Sequence, residues 1–486
     1  MDNPIKKLVS QTAVYGLSSI VGRFLNYLLT PLYTYSFIPQ EYGVVVELYT
    51  YTSFLAVILT YGMETAFFRF SESHKGDKKV FSTATISILI STFIFLLIGI
   101  FSQHNIADFL GYSQNTNYII WFILIIAIDA LTAIPFAKLR QQNKALKFAL
   151  IRLINIGVNI FLNVFFIVWA PKYFSTYWFY NSTIGVGYIF IANLMASFVT
   201  LVLLLPEFTF LKNGFSSSLW RQMMKYAFPL LIAGLAGMIN ETMDRVLLKF
   251  LLPSNSNIME QMGIYGACYK ISIIMTIFIQ TYRYAAEPFF FNEHKKSDAK
   301  NTYAQTMKYF FIVCMFIFLL TTFYLDIVKL FIGESYRQGL NIVPILLLAN
   351  LALGVFFNLS VWYKLSGQTK YGAYLTILGA AITIAANLIL IPILGYTGAA
   401  WATLICYFGM TIASYFIGQK YYTIPYDLKK MGIYFGLGLL LYFIDFYFVS
   451  NTIYGHFVKF ILLVFYLFLV LKTENVSTIF IKKTNQ

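Results

Sequence analysis

Arg23 and Arg245 are the residues best placed to do chemistry in this sequence, because each sits inside a long apolar stretch. Arg23 precedes the pair Tyr42-Gly43 by 19 positions (23 to 42), and Arg245 precedes Tyr265-Gly266 by 20 (245 to 265). A cation at membrane depth is costly unless it faces a wet or polar interior, which makes it a functional residue by default. A third cation, Lys270, lies in the next apolar stretch after Arg245. Arginine offers a planar fork and lysine a compact point charge, a set that suits an anionic head group and above all a diphosphate. The competing reading is pairing inside the membrane, of Arg23 with Glu47 or of Lys270 with Glu241 or Asp244. Those three acids, together with Asp129, are also the positions able to bind a coupling cation. Both readings stay open at this point. Glu64 and Asp445 stand at helix ends, where a side chain reaches the interface, and are discounted.

The elements that must hold these residues are membrane helices. Of 486 residues, 59% are hydrophobic and 11% charged, and the mean hydropathy is +0.70. So little charge could not cover the surface of a soluble domain of this size. Uncharged runs such as Val80–Phe101, Ile184–Leu205, Tyr309–Leu325 and Gly339–Tyr363 meet or approach the roughly 20 apolar residues a spanning helix needs. The run 371–419 has no charge at all and suffices for two helices folded at Pro392–Gly395. The pattern predicts about 14 helices, near 8–36, 42–66, 80–101, 118–137, 150–170, 184–205, 223–250, 262–283, 307–325, 339–363, 371–393, 396–419, 430–450 and 455–471.

A net charge of +15 would suggest nucleic acid in a soluble protein. Its distribution argues for topology instead. Of 35 Lys and Arg, Lys172, Lys249, Lys329, Arg337 and Lys459 fall on one side, and Arg23, Arg245 and Lys270 fall within spans. All others fall on the opposite side, so the positive-inside rule places both termini in the cytoplasm. Lys6 and Lys7 precede an apolar stretch without a clear cleavage site, and the first helix is expected to stay as an anchor. Cys268, Cys314 and Cys406 lie apart in apolar segments and read as packing residues. His74, His104, His294 and His456 are dispersed in or beside loops, which gives no metal site. There is no phosphate-binding P-loop and no nucleophile elbow, so neither an enzyme nor a cofactor is expected.

The chain also repeats itself. Lys138-Leu-Arg-Gln-Gln-Asn-Lys144 matches Lys364-Leu-Ser-Gly-Gln-Thr-Lys370, and each follows the fourth helix of its half. Leu162-Asn163 resembles Ala386-Asn387, each followed by apolar residues. Six helices per half is an even number, so the two copies face the same way as a parallel repeat. The expected organisation is a six-helix bundle over 1–212, a second over 213–420, and two additional helices with a tail over 421–486. Pro31, Pro229 and Pro344, with Gly234 and Gly237, fall inside predicted helices, where they can bend them.

With these landmarks the chain resembles the polysaccharide flippases, of O-antigen and capsule type, in the superfamily of multidrug, oligosaccharidyl-lipid and polysaccharide exporters. The resemblance rests on Gly22-Arg23, Pro31-Leu-Tyr33, Glu41-Tyr42-Gly43, Thr60-Tyr-Gly62 and Ala66-Phe-Phe-Arg69-Phe, and in the second half on Asp244-Arg245 and Ile264-Tyr-Gly266. It implies two bundles enclosing a central cavity, in a bacterial inner membrane. The implied substrate is an oligosaccharide unit on undecaprenyl diphosphate, turned from the inner to the outer leaflet for surface polysaccharide or lipopolysaccharide synthesis. Arg23, Arg245 and Lys270 carry over as cavity cations, and a polysaccharide polymerase and a chain-length regulator are the implied partners. A lipid II-type flippase and a multidrug cation antiporter share the fold. A membrane polysaccharide polymerase would act on the same carrier, but normally needs a sizeable outer loop that this chain lacks.

Overall fold

A computed structural model describes residues 21–22, 24–74, 77–208, 214–253, 256–294, 296–450 and 452–474. Among them regular structure is helical throughout, and 13 helices are long and apolar enough to cross a membrane. The all-α membrane class read from the sequence is the class adopted. About half of the expected first span, 8–36, lies outside the described residues, and its end is α1 (Leu29–Ser36). The expected last span is a 21-residue helix, Ile453–Thr473. Phe101, Phe448 and Ile453 are 84%, 83% and 86% exposed, a cost in water that lipid removes.

The chain forms two compact units, Met1–Gly263 and Ile264–Gln486. The first contains α1, α2 (Pro39–Thr60), α3 (Met63–Ser73), α4 (Lys78–Phe101), α5 (Gln103–Leu110), α6 (Thr116–Gln141), α7 (Ala145–Val164), α8 (Gly187–Leu204) and α9 (Ser217–Leu251). It also holds the start of α10 (Ile258–Glu293). Proline sits at the first turn of α2, where its missing N–H costs nothing, and Asp77 caps α4 by accepting from the Lys79 N–H at 2.8 Å.

The expected span 42–66 is two helices. Tyr61 (φ 33°) and Gly62 (φ 72°) both enter the left-handed region and end α2. Glycine is required at 62, since a Cβ there would stand 2.9 Å from the Ala227 carbonyl oxygen. Tyr61 is held by a 2.6 Å hydrogen bond shared with the Ser87 hydroxyl, whose oxygen also accepts from Trp220 Nε1 at 2.8 Å. At the other end of α2 the backbones touch. A Cβ at Gly43 would lie 2.0 Å from the Met259 carbonyl oxygen, and one at Gly263 would lie 1.9 Å from that of Pro39. Such glycine crossings let membrane helices meet at backbone distance.

The second unit contains the rest of α10, then α11 (Ala299–Phe323), α12 (Val343–Leu359), α13 (Lys370–Leu394), α14 (Tyr396–Tyr421), α15 (Leu428–Phe448) and α16 (Ile453–Thr473). The uncharged run does fold back on itself, at Gly395 (φ 58°), where the sequence places the turn. Trp362, Tyr407 and Cys406 form a buried cluster with residues of α12 to α14. Cys268, Cys314 and Cys406 are all buried and free. The added helix α15 packs on α11 through Phe311 on Phe435 (6.3 Å) and Phe318 on Tyr442 (5.4 Å). Glu474, just past α16, accepts from Lys308, from Lys430 at 3.1 Å and from the Tyr434 hydroxyl at 2.5 Å.

Candidate functional site

Arg245 lies in α9 with its side chain 10% exposed. One guanidinium nitrogen donates to the Glu241 carbonyl oxygen at 3.0 Å and stands 3.6 Å from Asp244 Oδ1. Asp244 Oδ1 also accepts from the Arg245 backbone N–H at 2.8 Å. The Tyr42 phenol is near enough to feel the arginine charge. A cation with an adjacent carboxylate is the arrangement by which a membrane interior tolerates both.

Glu47 is the centre of a larger cluster in the same unit. The carboxylate is 1% exposed, and Lys249 Nζ donates to Oε1 at 2.5 Å. Tyr51 donates its hydroxyl to Oε1 at 3.0 Å, and Tyr112 donates to Oε2. Lys249 Nζ also donates to the Leu110 carbonyl oxygen at 2.6 Å. The short helix α5 ends at Gly111 (φ 79°), and that turn brings Leu110 and Tyr112 to the ion pair. Burial, reinforced by the Glu47 charge, holds the Tyr112 phenol far above its usual range, so it remains a donor. The sequence reading offers Arg23 as a partner of Glu47 and counts Lys249 on the outer side; in the structure Glu47 pairs with Lys249, two residues before the end of α9. One signal for it was present. Glu241, Arg245 and Lys249 recur every four residues, which stacks them along one face of α9.

The other expected residues are spread out. Asp129 is exposed on α6, with Oδ1 accepting from Ser197 Oγ at 2.8 Å. Glu241 is exposed on α9, and Lys270 is half-buried on α10 in the second unit. Arg23 lies outside the described residues. The repeat register adds one relation that shared motifs do not reveal: Lys270 follows Tyr265 by five positions, as Glu47 follows Tyr42. The two copies carry opposite charges at that point.

Glu64, discounted from the sequence as a helix-end residue, pairs with Arg140. Its counterpart at the same offset (42 to 265, 64 to 287) is Glu287, which pairs with Lys364 at 2.7 Å. In both units, then, the acid one helix-length beyond the Tyr-Gly landmark meets a cation from the Lys-Leu-x-x-Gln-x-Lys segment. Lys138, first in its copy of that segment, is buried against Glu207 at 2.7 Å. Asp445, also discounted, is buried 3.9 Å from Lys459. Among the described residues, no three His, Cys, Asp or Glu gather as metal ligands.

Residues 8–294 match a family model described as polysaccharide biosynthesis protein. The chain belongs to that family. The match contains the Arg245 and Glu47 clusters and the motifs on which the flippase resemblance rests. No curated protein is a significant sequence match to this member of the family. Among solved structures it is similar to the lipid II flippase MurJ in an inward closed conformation, with a TM-score of 0.68 at 15% identity, covering 98% of this chain and 100% of that one. It is also similar to an inward-facing multidrug resistance transporter of the MATE family in the MOP superfamily, with a TM-score of 0.61 at 16% identity, covering 84% and 94%. A MATE protein in its bent conformation matches with a TM-score of 0.58 at 15% identity over 86% and 95%. At these identities the likeness is one of fold, and the fold is that of membrane transporters.

Proposed function

We propose that this protein turns undecaprenyl-diphosphate-linked oligosaccharide units from the inner to the outer leaflet of a bacterial inner membrane by alternating access. The observation that carries the reading is Arg245, a buried arginine at membrane depth in a polysaccharide-biosynthesis family member. Diphosphate crosses lipid poorly because its charges lose their hydration, and a basic site lowers that barrier. In this reading Arg245 holds the diphosphate together with Arg23 and Lys270, from two parallel repeats meeting near residue 212. Asp244, Glu241, Glu47 and Asp129 serve as counter-ions or coupling-ion sites. Both termini face the cytoplasm, and the product passes to a polysaccharide polymerase with its chain-length regulator. The full-length match to the MurJ fold favours lipid II as the second substrate to test.

The experiment is leaflet-resolved labelling of lipid-linked oligosaccharide and of lipid II in cells depleted of this protein. Wild type is expected to relieve cytoplasmic-side accumulation of the oligosaccharide lipid, and membrane-inserted Arg245→Ala is expected to leave it. Accumulation of lipid II alone would replace the substrate. Normal delivery of both in the depleted cells, with no other flippase present, would end the proposal.

A further inference from the structure

One face of α7 carries a row of polar residues. Arg152, Asn155, Asn159 and Asn163 recur at intervals of three, four and four, which keeps them aligned on an α-helix. The opposite face presents Leu150, Ile154 and Phe161, at 58%, 41% and 55% exposure, as lipid-facing groups. The polar row therefore turns into the bundle of the first unit, and its partners come from other helices. Asn155 donates to Thr200 Oγ1 of α8 at 2.9 Å, and the Tyr33 hydroxyl of α1 donates to Asn163 Oδ1 at 3.0 Å. Asn163 also donates to Asn159 Oδ1 at 3.0 Å. The same interior holds Asn193 bonded to the Tyr49 hydroxyl at 2.7 Å, and Asp129 with Ser197.

Arg152 stands at one end of the row. Its guanidinium lies 4.3 Å from the Phe136 ring centroid and is exposed, within electrostatic reach of Asp129. Among the described residues it makes no hydrogen bond and no ion pair within 4 Å. It lies two turns into the apolar helix that begins at Ala145, where a guanidinium with its donors unused and its face on an aromatic ring is prepared for an anion. From Arg152 to Asn159 is a rise of about 10 Å at 1.5 Å per residue, the length of a disaccharide, and Asn163, fully buried, closes the far end of the row. Neutral amides and phenols that both donate and accept suit hydroxyl groups, which also do both.

We infer that the polar face of α7 is the saccharide-binding track of this protein, with Arg152 receiving an anionic group of the bound molecule. The inference rests on the flippase reading above and adds to it where the sugar lies. The anion is either a carboxylate on the glycan or the carrier diphosphate, and the same experiment separates them. The probes are the lipid-linked oligosaccharide that accumulates in cells lacking the protein, and bare undecaprenyl diphosphate. Each is titrated against the full-length protein in nanodiscs. Wild type is expected to bind the glycosylated lipid about tenfold more tightly than the bare one, a difference of about 1.4 kcal/mol. Asn159→Leu should erase that preference with bare-lipid binding unchanged, and Asn159→Gln, which keeps the amide, should restore part of it. Weaker binding of only the glycosylated lipid by Arg152→Gln assigns the anion to the glycan, and weaker binding of both assigns it to the diphosphate. An undiminished preference in Asn159→Leu and Arg152→Gln overturns the track, as does equal loss for both lipids in Asn159→Leu with its thermal stability lowered. Wild type that binds neither lipid overturns the flippase reading and the track together.

Discussion

Removing Lys249 should destabilise this protein more than removing Lys249 and Glu47 together. The ion pair is 2.5 Å long, between a side chain 12% exposed and one 1% exposed. At an effective dielectric constant near 20, charges at that distance attract by roughly 7 kcal/mol, against a desolvation cost of several kcal/mol for each ion. The net value of the intact pair is therefore small. Losing one partner is another matter. In Lys249→Met, Glu47 keeps only the hydroxyls of Tyr51 and Tyr112, and a stranded buried carboxylate costs about 3–5 kcal/mol. Glu47→Gln keeps an amide oxygen as acceptor but removes the charge, which leaves the Lys249 ammonium buried without its carboxylate. The double variant Glu47→Gln/Lys249→Met has no charge to strand and should fall within about 2 kcal/mol of wild type. Reversible unfolding of the purified protein in mixed micelles, titrated with SDS, measures all four corners of this cycle. A coupling of at least about 2 kcal/mol is the expected result. Additivity to within about 0.5 kcal/mol would refute the argument, because independent sites behave in that way.

Two further perturbations have definite signs. Gly43→Ala puts a methyl group 2.0 Å from the Met259 carbonyl oxygen, so α2 and the start of α10 must part, with a loss of about 1–3 kcal/mol in the same unfolding assay. Gly432→Ala on α15, with nothing within 4 Å of the new carbon, is the neutral control. Burial raises the Glu474 carboxyl, but hydrogen bonds from Lys308, Tyr434 and Lys430 outweigh it and hold it below its usual value of 4.5. A depressed carboxyl stabilises fully above its unfolded value, and that contribution is lost as pH falls through the folded one. Protection of amides across 453–473, taken relative to their intrinsic exchange rates, should therefore be high at neutral pH and fall below about pH 4.5, while Glu474→Gln should flatten the profile.

The spans were legible because lipid dictates them. Every backbone group at that depth must bond within its own helix, and every outward side chain must be apolar, so the uncharged runs mark the helix cores, while charged ends run on beyond them, as in Ile258–Glu293 against the expected 262–283. Arg245 was legible for the converse reason, as a charge where charge is expensive. Lys249 was not. It follows the same apolar run by a few residues and reads as one of the outer-side charges, and its pairing with Glu47, beside Tyr112, comes from distant parts of the chain. Glu64 was misleading in the same way, since snorkelling and pairing with Arg140 look alike until the fourth helix is in place. Of the asparagines of α7 only Asn163 was noticed, as a repeat landmark, because a search for ionisable groups passes over neutral amides. Their spacing was in the sequence, but nothing there named the helices they would bond.

The break at Tyr61-Gly62 has a mechanical consequence. In the first copy of the repeat, the helix after the Tyr-Gly landmark is two rods with a joint. The joint itself is tied through Tyr61 to Ser87 of α4, which also holds Trp220 of α9, and the near segment is tied to α9 through Glu47. In the second copy the corresponding helix, α10, runs unbroken from Ile258 to Glu293 and carries only Pro288 near its end. A turn of one end of α10 would carry along its continuous hydrogen bonds to the other, whereas α2 and α3 meet at two left-handed residues that are fixed to Ser87 and packed against Ala227. The helix that follows the landmark is thus interrupted in one half of the chain and continuous in the other.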